Sequence, residues 1–103
     1  MSNIENASID PIANVYFGGK CVSHSITLAD GTRISAGVIF PMQETFGTAA
    51  PERMQLLQGR CRARLPGTND WQTFGAGESF EVAGDSSFDI DVIEELHYIC
   101  HYG

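Results

Sequence analysis

Side chains able to do chemistry are few in this chain and unevenly spread. Its six Lys and Arg residues cluster as Arg53, Arg60, Arg62 and Arg64, with only Lys20 and Arg33 elsewhere. Arg60, Arg62 and Arg64 alternate with Cys61, Ala63 and Leu65, so a strand places all three guanidinium groups on one face, which is ordinarily a solvated one. His24, His97 and His101 sit on strand-like segments, and a lone strand histidine is more often satisfied locally than a metal ligand. Cys21, Cys61 and Cys100 are odd in number and form no C-x-x-C pair. They read as reduced, mostly buried thiols of a cytoplasmic protein, not as a disulfide framework. Nothing places a Ser-His-Asp or Cys-His set together. Gly18-Gly19, Gly75 and Gly77 serve turns, and no glycine-rich phosphate loop precedes a helix.

The elements that must position these groups are short strands. The stretch 20–29 alternates Cys21, Ser23, Ser25 and Thr27 against Val22, His24, Ile26 and Leu28, a period-two pattern. Asp30-Gly31 is a hairpin signal. The returning strand 32–40 carries Arg33, Ser35, Gly37 and Ile39 on one face and ends at Pro41. Further strands are expected over 44–48, from Glu52 to a break at Gly59, and over 60–65, 71–74, 79–82, 87–93 and 96–102, separated by turns such as 66–70 and 75–78. About nine short strands with regular turns, and no sustained helical periodicity, imply a sandwich or barrel.

With 103 residues, 43% hydrophobic and 18% charged, the chain has the size and composition of one globular domain. Residues 1–13 are polar and aperiodic and are expected to form a flexible arm before a domain spanning 14–103. A net charge of −7 opposes broad contact with a phosphate backbone, so nucleic acid is not an expected partner. The start of the chain lacks the basic onset and apolar centre of a secretory signal. No apolar run approaches the roughly 18 residues of a membrane span.

Two stretches resemble the paired signatures of cupins. Glu52 is followed after six residues by Gly59, as in the second half of the first signature, but its two histidine positions fall on Phe46 and Thr48. The second signature, begun at Gly77, puts Ala83 at its proline, Asp85 at its second glycine and Phe88 at its histidine. Three of four ligand positions are therefore Phe, Thr and Phe, and one carboxylate alone does not hold a transition metal. A metal-dependent cupin oxygenase or isomerase is disfavoured on that count.

A closer resemblance covers nearly the whole chain after residue 13. NVYFGGK (14–20), RISAGV (33–38), ETFGTAAPERM (44–54), LPGTNDWQTFGAGESFEV (65–82), SSF (86–88) and YICHY (98–102) resemble the pyrimidine/purine nucleoside phosphorylase family of small metal-free cupins. Members often have Pro where Ala83 stands. The resemblance implies an all-β, single-domain cupin-type jelly-roll β-barrel. It also implies phosphorolysis of purine and pyrimidine nucleosides to free base and pentose 1-phosphate, with inorganic phosphate as co-substrate and neither metal nor cofactor.

Under that resemblance, residues are assigned expected roles. Phe46, Thr48, Glu52 and Phe88 are expected in the lumen, where the two phenylalanines suit stacking on any base. They also suit plain filling of a barrel. Glu52 is expected to hold the ribose hydroxyls or steady an oxocarbenium-like sugar, with Thr48 beside it as the second catalytic candidate. Arg33 is the expected phosphate ligand, Gly37 on its strand face leaving room beside the backbone. Lys20 is second choice, and Tyr98 is expected to hydrogen-bond substrate. The competing reading is a non-catalytic module that binds a sugar or nucleoside. A homodimer is expected, because a small barrel gains stability by covering an open strand edge.

Overall fold

The computed structural model describes residues 3–103. The first two residues of the expected 1–13 arm lie outside that range. Within the arm, Ser8–Ile9 forms a two-residue strand, β1. The remaining strands are β2 (Asn14–Tyr16), β3 (Cys21–Thr27), β4 (Arg33–Ile39), β5 (Met42–Thr48), β6 (Glu52–Arg64), β7 (Gln72–Gly75), β8 (Ser79–Val82) and β9 (Ser86–Tyr102). A 3-10 turn, Phe17–Gly19, joins β2 to β3.

All pairings are antiparallel and belong to one sheet, ordered β1-β3-β4-β9-β6-β7, with β2 on β3, β5 on β9 and β8 on β6. The β3–β4 hairpin turns at the expected residues. Gly31 takes φ 87°, and the Asp30 carboxylate accepts from the Thr32 N–H at 2.9 Å, which fixes a chain direction that few other residues adopt.

Two long strands replace four expected short ones. Gly59 does not end a strand but lies inside β6, and 87–93 and 96–102 are both parts of β9. The β6–β9 register shifts between Leu56 and Cys61, and Gly59 sits there at φ 96°. A Cβ at Gly59 would lie 2.9 Å from the Glu95 carbonyl carbon. A glycine bulge thus bends the ladder without breaking it.

The bend divides the sheet into two facing halves. One holds β1 to β4, the last part of β9, the first part of β6, and β8. The other holds β5, the first part of β9, the last part of β6, and β7. Phe80 on β8 meets Phe88 across the interior at 5.7 Å between ring centroids, and Phe74 on β7 at 4.9 Å. Leu56, Cys61, Ala63, Ile90 and Leu96 fill the interior between them. The hydrogen-bonded ladder does not run round into a closed ring. The sheet curls through its bulges instead.

Arg60, Arg62 and Arg64 form an outward row, as their alternation implies. They pair with Glu94, Asp91 and Asp89 at 3.2, 2.6 and 2.6 Å, and Trp71 lies beneath Arg62 and Arg64. Exposed pairs of this kind contribute about 0–1 kcal/mol each. All three cysteines are free and buried.

Candidate functional site

The inward faces of β3, β4 and the last part of β9, with residues of β5 and the start of β6, line a cavity of ≈ 280 Å³. Strand alternation sets its walls, since Cys21 and Ser23, Ser35 and Ile39, and Tyr98 and Cys100 are the inward positions of paired strands. The ladder also gives the cavity two ends. Tyr16, Cys21 and Ile39 are successive partners at one end. Ser35 with Cys100, and Tyr102 with Glu52, are partners at the other.

The first end is aromatic. Phe17 stands edge to face with Phe46, their centroids 5.1 Å apart at 81°. Phe46 stacks on its ladder partner Phe88 at 5.7 Å and 16°. Phe88 is 3% exposed, so most of its surface serves the core.

The second end is polar. The Ser35 and Tyr102 hydroxyls share a hydrogen bond at 2.9 Å. Burial pushes the Glu52 carboxyl above the usual carboxylate range. Burial raises the Tyr102 hydroxyl to about 12 and the Cys100 thiol to about 12, in each case with the Glu52 charge adding to it. Tyr98 is raised further, by burial and then by the Cys21 thiol 3.6 Å away. Tyr98, Cys100 and Tyr102 are thus neutral hydrogen-bonding partners at neutral pH, and Glu52 is the one carboxylic acid in the lining among the described residues.

Of the residues expected at the site, Phe46, Phe88, Glu52 and Tyr98 line this cavity together. Thr48, Arg33 and Lys20 do not. The Thr48 hydroxyl donates to the Ala83 carbonyl at 2.7 Å and accepts from the Ser86 N–H at 3.0 Å, joining β5 to the turn before β9. Arg33 is exposed at the start of β4, two residues before Ser35 and so on the same strand face. Lys20 is exposed just after the 3-10 turn. Gly37 leaves room for its own neighbour and not for a ligand, because a Cβ there would lie 2.7 Å from the Ser23 Cβ on β3.

Sequence reasoning missed Phe17, Tyr16, Ser23, Ser35 and Tyr102 as lining residues. The alternation of β3 and β4 carried the signal for Ser23 and Ser35. Tyr16, the last residue of the three-residue β2, and Phe17, in the 3-10 turn, had none. A second depression, lined by Arg53, Glu81 and His101 among others, shares Glu52 with the first. Burial and the Arg53 charge push His101 below its usual range there.

The histidines have separate partners. His24 meets the Asp10 carbonyl, His97 the Glu95 carboxylate and His101 the Gln55 side chain. Among the described residues, no three His, Cys, Asp or Glu side chains converge on a metal-sized site.

Comparison with known proteins agrees with the sequence resemblance. The family described as Pyrimidine/purine nucleoside phosphorylase matches residues 12–102. A protein of that name from Cupriavidus metallidurans is 56% identical over the full length of both chains. One from Nocardia farcinica is 58% identical over the full length of both. A crystal structure of a protein of unknown function from an Acinetobacter species superposes with TM-score 0.95 at 40% identity, covering 98% of each chain. The chain thus belongs to the pyrimidine/purine nucleoside phosphorylase family.

Proposed function

We propose that the protein catalyses phosphorolysis, in which phosphate oxygen attacks C1′ of a nucleoside, the glycosidic C–N bond breaks with its electron pair leaving on the base, and pentose 1-phosphate forms. Family membership carries this reading, and one feature of the site supports it. A cavity of ≈ 280 Å³ joins an aromatic end, suited to a base, to an end bearing Ser35, Tyr102 and Glu52, suited to a sugar. Its size lies near the lower bound of ligand pockets, roughly 300 Å³.

Each residue's task follows from its chemistry. Glu52 faces the sugar end, where positive charge develops on the ring as the base departs. A carboxylate already placed there stabilises the transition state more than the ground state. Tyr98 and Ser35 orient the sugar, and Phe46 borders the base with Phe88 packed behind it. Thr48 supports the site by fixing the strand that carries Phe46. No Lys, Arg or His lines the cavity among the described residues, so phosphate takes its positive partner from the rim. Arg33 shares a strand face with Ser35 and is the first candidate, Lys20 the second.

The bent sheet is read as a cupin-type jelly-roll barrel whose seam is closed by side chains, with residues 14–103 as the domain and 1–13 as its arm. Neither metal nor cofactor is needed, since every role above falls to a side chain or to phosphate. Three free, buried thiols suit a reducing cytoplasm. Ile9, Ile12 and Val15 expose apolar surface along the β1–β2 edge, and a homodimer would cover it. Static light scattering at micromolar concentration checks this, a mass of twice the chain being expected. The function is tested by incubating purified protein with uridine and with adenosine. Base release is expected only when phosphate is present, and binding of both nucleosides without release would favour the non-catalytic reading.

A further inference from the structure

Phe17 combines three features that packing alone does not require. It adopts φ 52°, a left-handed conformation uncommon for a bulky residue. Gly18 and Gly19 continue in that region at 64° and 96°, so two glycines that tolerate it cheaply follow one residue that does not. The unusual backbone does not bury the residue, which remains 38% exposed while lining the cavity. Backbone strain of this sort gathers at ligand clamps, where the surrounding structure enforces it.

The aromatic series shows what Phe17 offers. Rings run inward from Phe17 through Phe46 and Phe88 to Phe80. Phe88 and Phe80 are buried, and Phe46 is partly covered by its stack on Phe88. Phe17 and its neighbour Tyr16 are the most exposed aromatic residues of the lining at this end of the cavity among the described residues. Ser35, Tyr102 and Glu52 lie at the opposite end.

We propose that Phe17 is the base-recognition residue, the platform on which the nucleobase stacks at the open end of the cavity while the sugar extends toward Ser35 and Glu52. This assignment rests on the phosphorylase reading and deepens it. Stacking accepts any base, because each has a π-face. An open end also lets the second ring of a purine extend into solvent, where a closed pocket would have to be built for one ring size. One platform at the mouth thus accounts for acceptance of both base classes.

The test measures binding of uridine, adenosine and ribose 1-phosphate to phosphate-free protein by calorimetry. Phe17→Ala is expected to weaken both nucleosides about five- to a hundred-fold, the range of base–aromatic stacking. Ribose 1-phosphate, which carries no base, should shift less than about twofold, and Phe17→Trp should bind both nucleosides near the wild-type level. Phe17→Leu keeps an apolar side chain against Phe46 but offers no ring face. It gives the same reading as Phe17→Ala if the alanine variant folds poorly. Wild-type protein that binds and turns over nucleosides while both Ala and Leu variants bind them within twofold of it overturns this assignment alone. Equal loss of ribose 1-phosphate also overturns it, showing a general defect of the cavity. Wild-type protein that binds neither nucleoside overturns the phosphorylase reading and this assignment together.

Discussion

The hydroxyls of Ser35 and Tyr102 share a 2.9 Å hydrogen bond that ties the middle of β4 to the last residue of β9. Ser35 is only 4% exposed, so its hydroxyl has little water to turn to. Tyr102→Phe removes the partner and leaves a buried polar group behind, at a cost of about 1–3 kcal/mol. A lower urea midpoint with an unchanged slope is the expected result. Ser35→Ala in the same background should add little, since the interaction is already gone.

Glu52 stands opposite Tyr102 in the ladder, and its burial opposes ionisation. Its folded-state pKa lies above the unfolded value, so the folded state binds the proton more tightly. The associated stability is present in full below the ordinary glutamate range and is lost as pH rises through the folded value. Glu52→Gln removes this dependence. The variant should melt higher than wild type at pH 7, with the gap closing as pH falls toward about 4. Its turnover should drop on the order of a hundred-fold, with a smaller change in KM for phosphate. An unchanged turnover would remove Glu52 from the catalytic role.

Much of this was legible in the sequence, for reasons particular residues make plain. Alternation placed Cys61 and Ala63 inward and Arg60, Arg62 and Arg64 outward, because period two is a local property of a strand. Asp30-Gly31 marked its hairpin because the turn itself demands those residues. Gly59 misled, since glycine marks bulges as readily as strand ends, and only its position against Glu95 decides between them. The cupin signature positions grouped Phe46, Thr48, Glu52 and Phe88, of which Phe46, Glu52 and Phe88 line the cavity while the Thr48 hydroxyl turns to the Ala83 carbonyl. Phe17 escaped notice because no sequence period governs a residue at a turn with positive φ.

Arg33 is the proposed phosphate ligand, although it is exposed and outside the cavity lining. A charge-assisted hydrogen bond is worth about 1.5–3 kcal/mol. Arg33→Met should therefore raise KM for phosphate about ten- to a hundred-fold, while nucleoside binding without phosphate changes little. Initial rates over a phosphate series give the answer. If Arg33→Met behaves as wild type and Lys20→Met shows the defect, the phosphate approaches from the aromatic end instead.

The proposed function turns on attack at C1′ by phosphate and not by water. It is tested most directly by running the reaction on uridine with ¹⁸O-labelled phosphate and a metal chelator present, then analysing the sugar product by mass spectrometry. Equimolar uracil and ribose 1-phosphate are predicted, with ¹⁸O in the bridging position between C1 and phosphorus. Free ribose carrying oxygen from water would contradict the account, as would loss of the reaction in chelator.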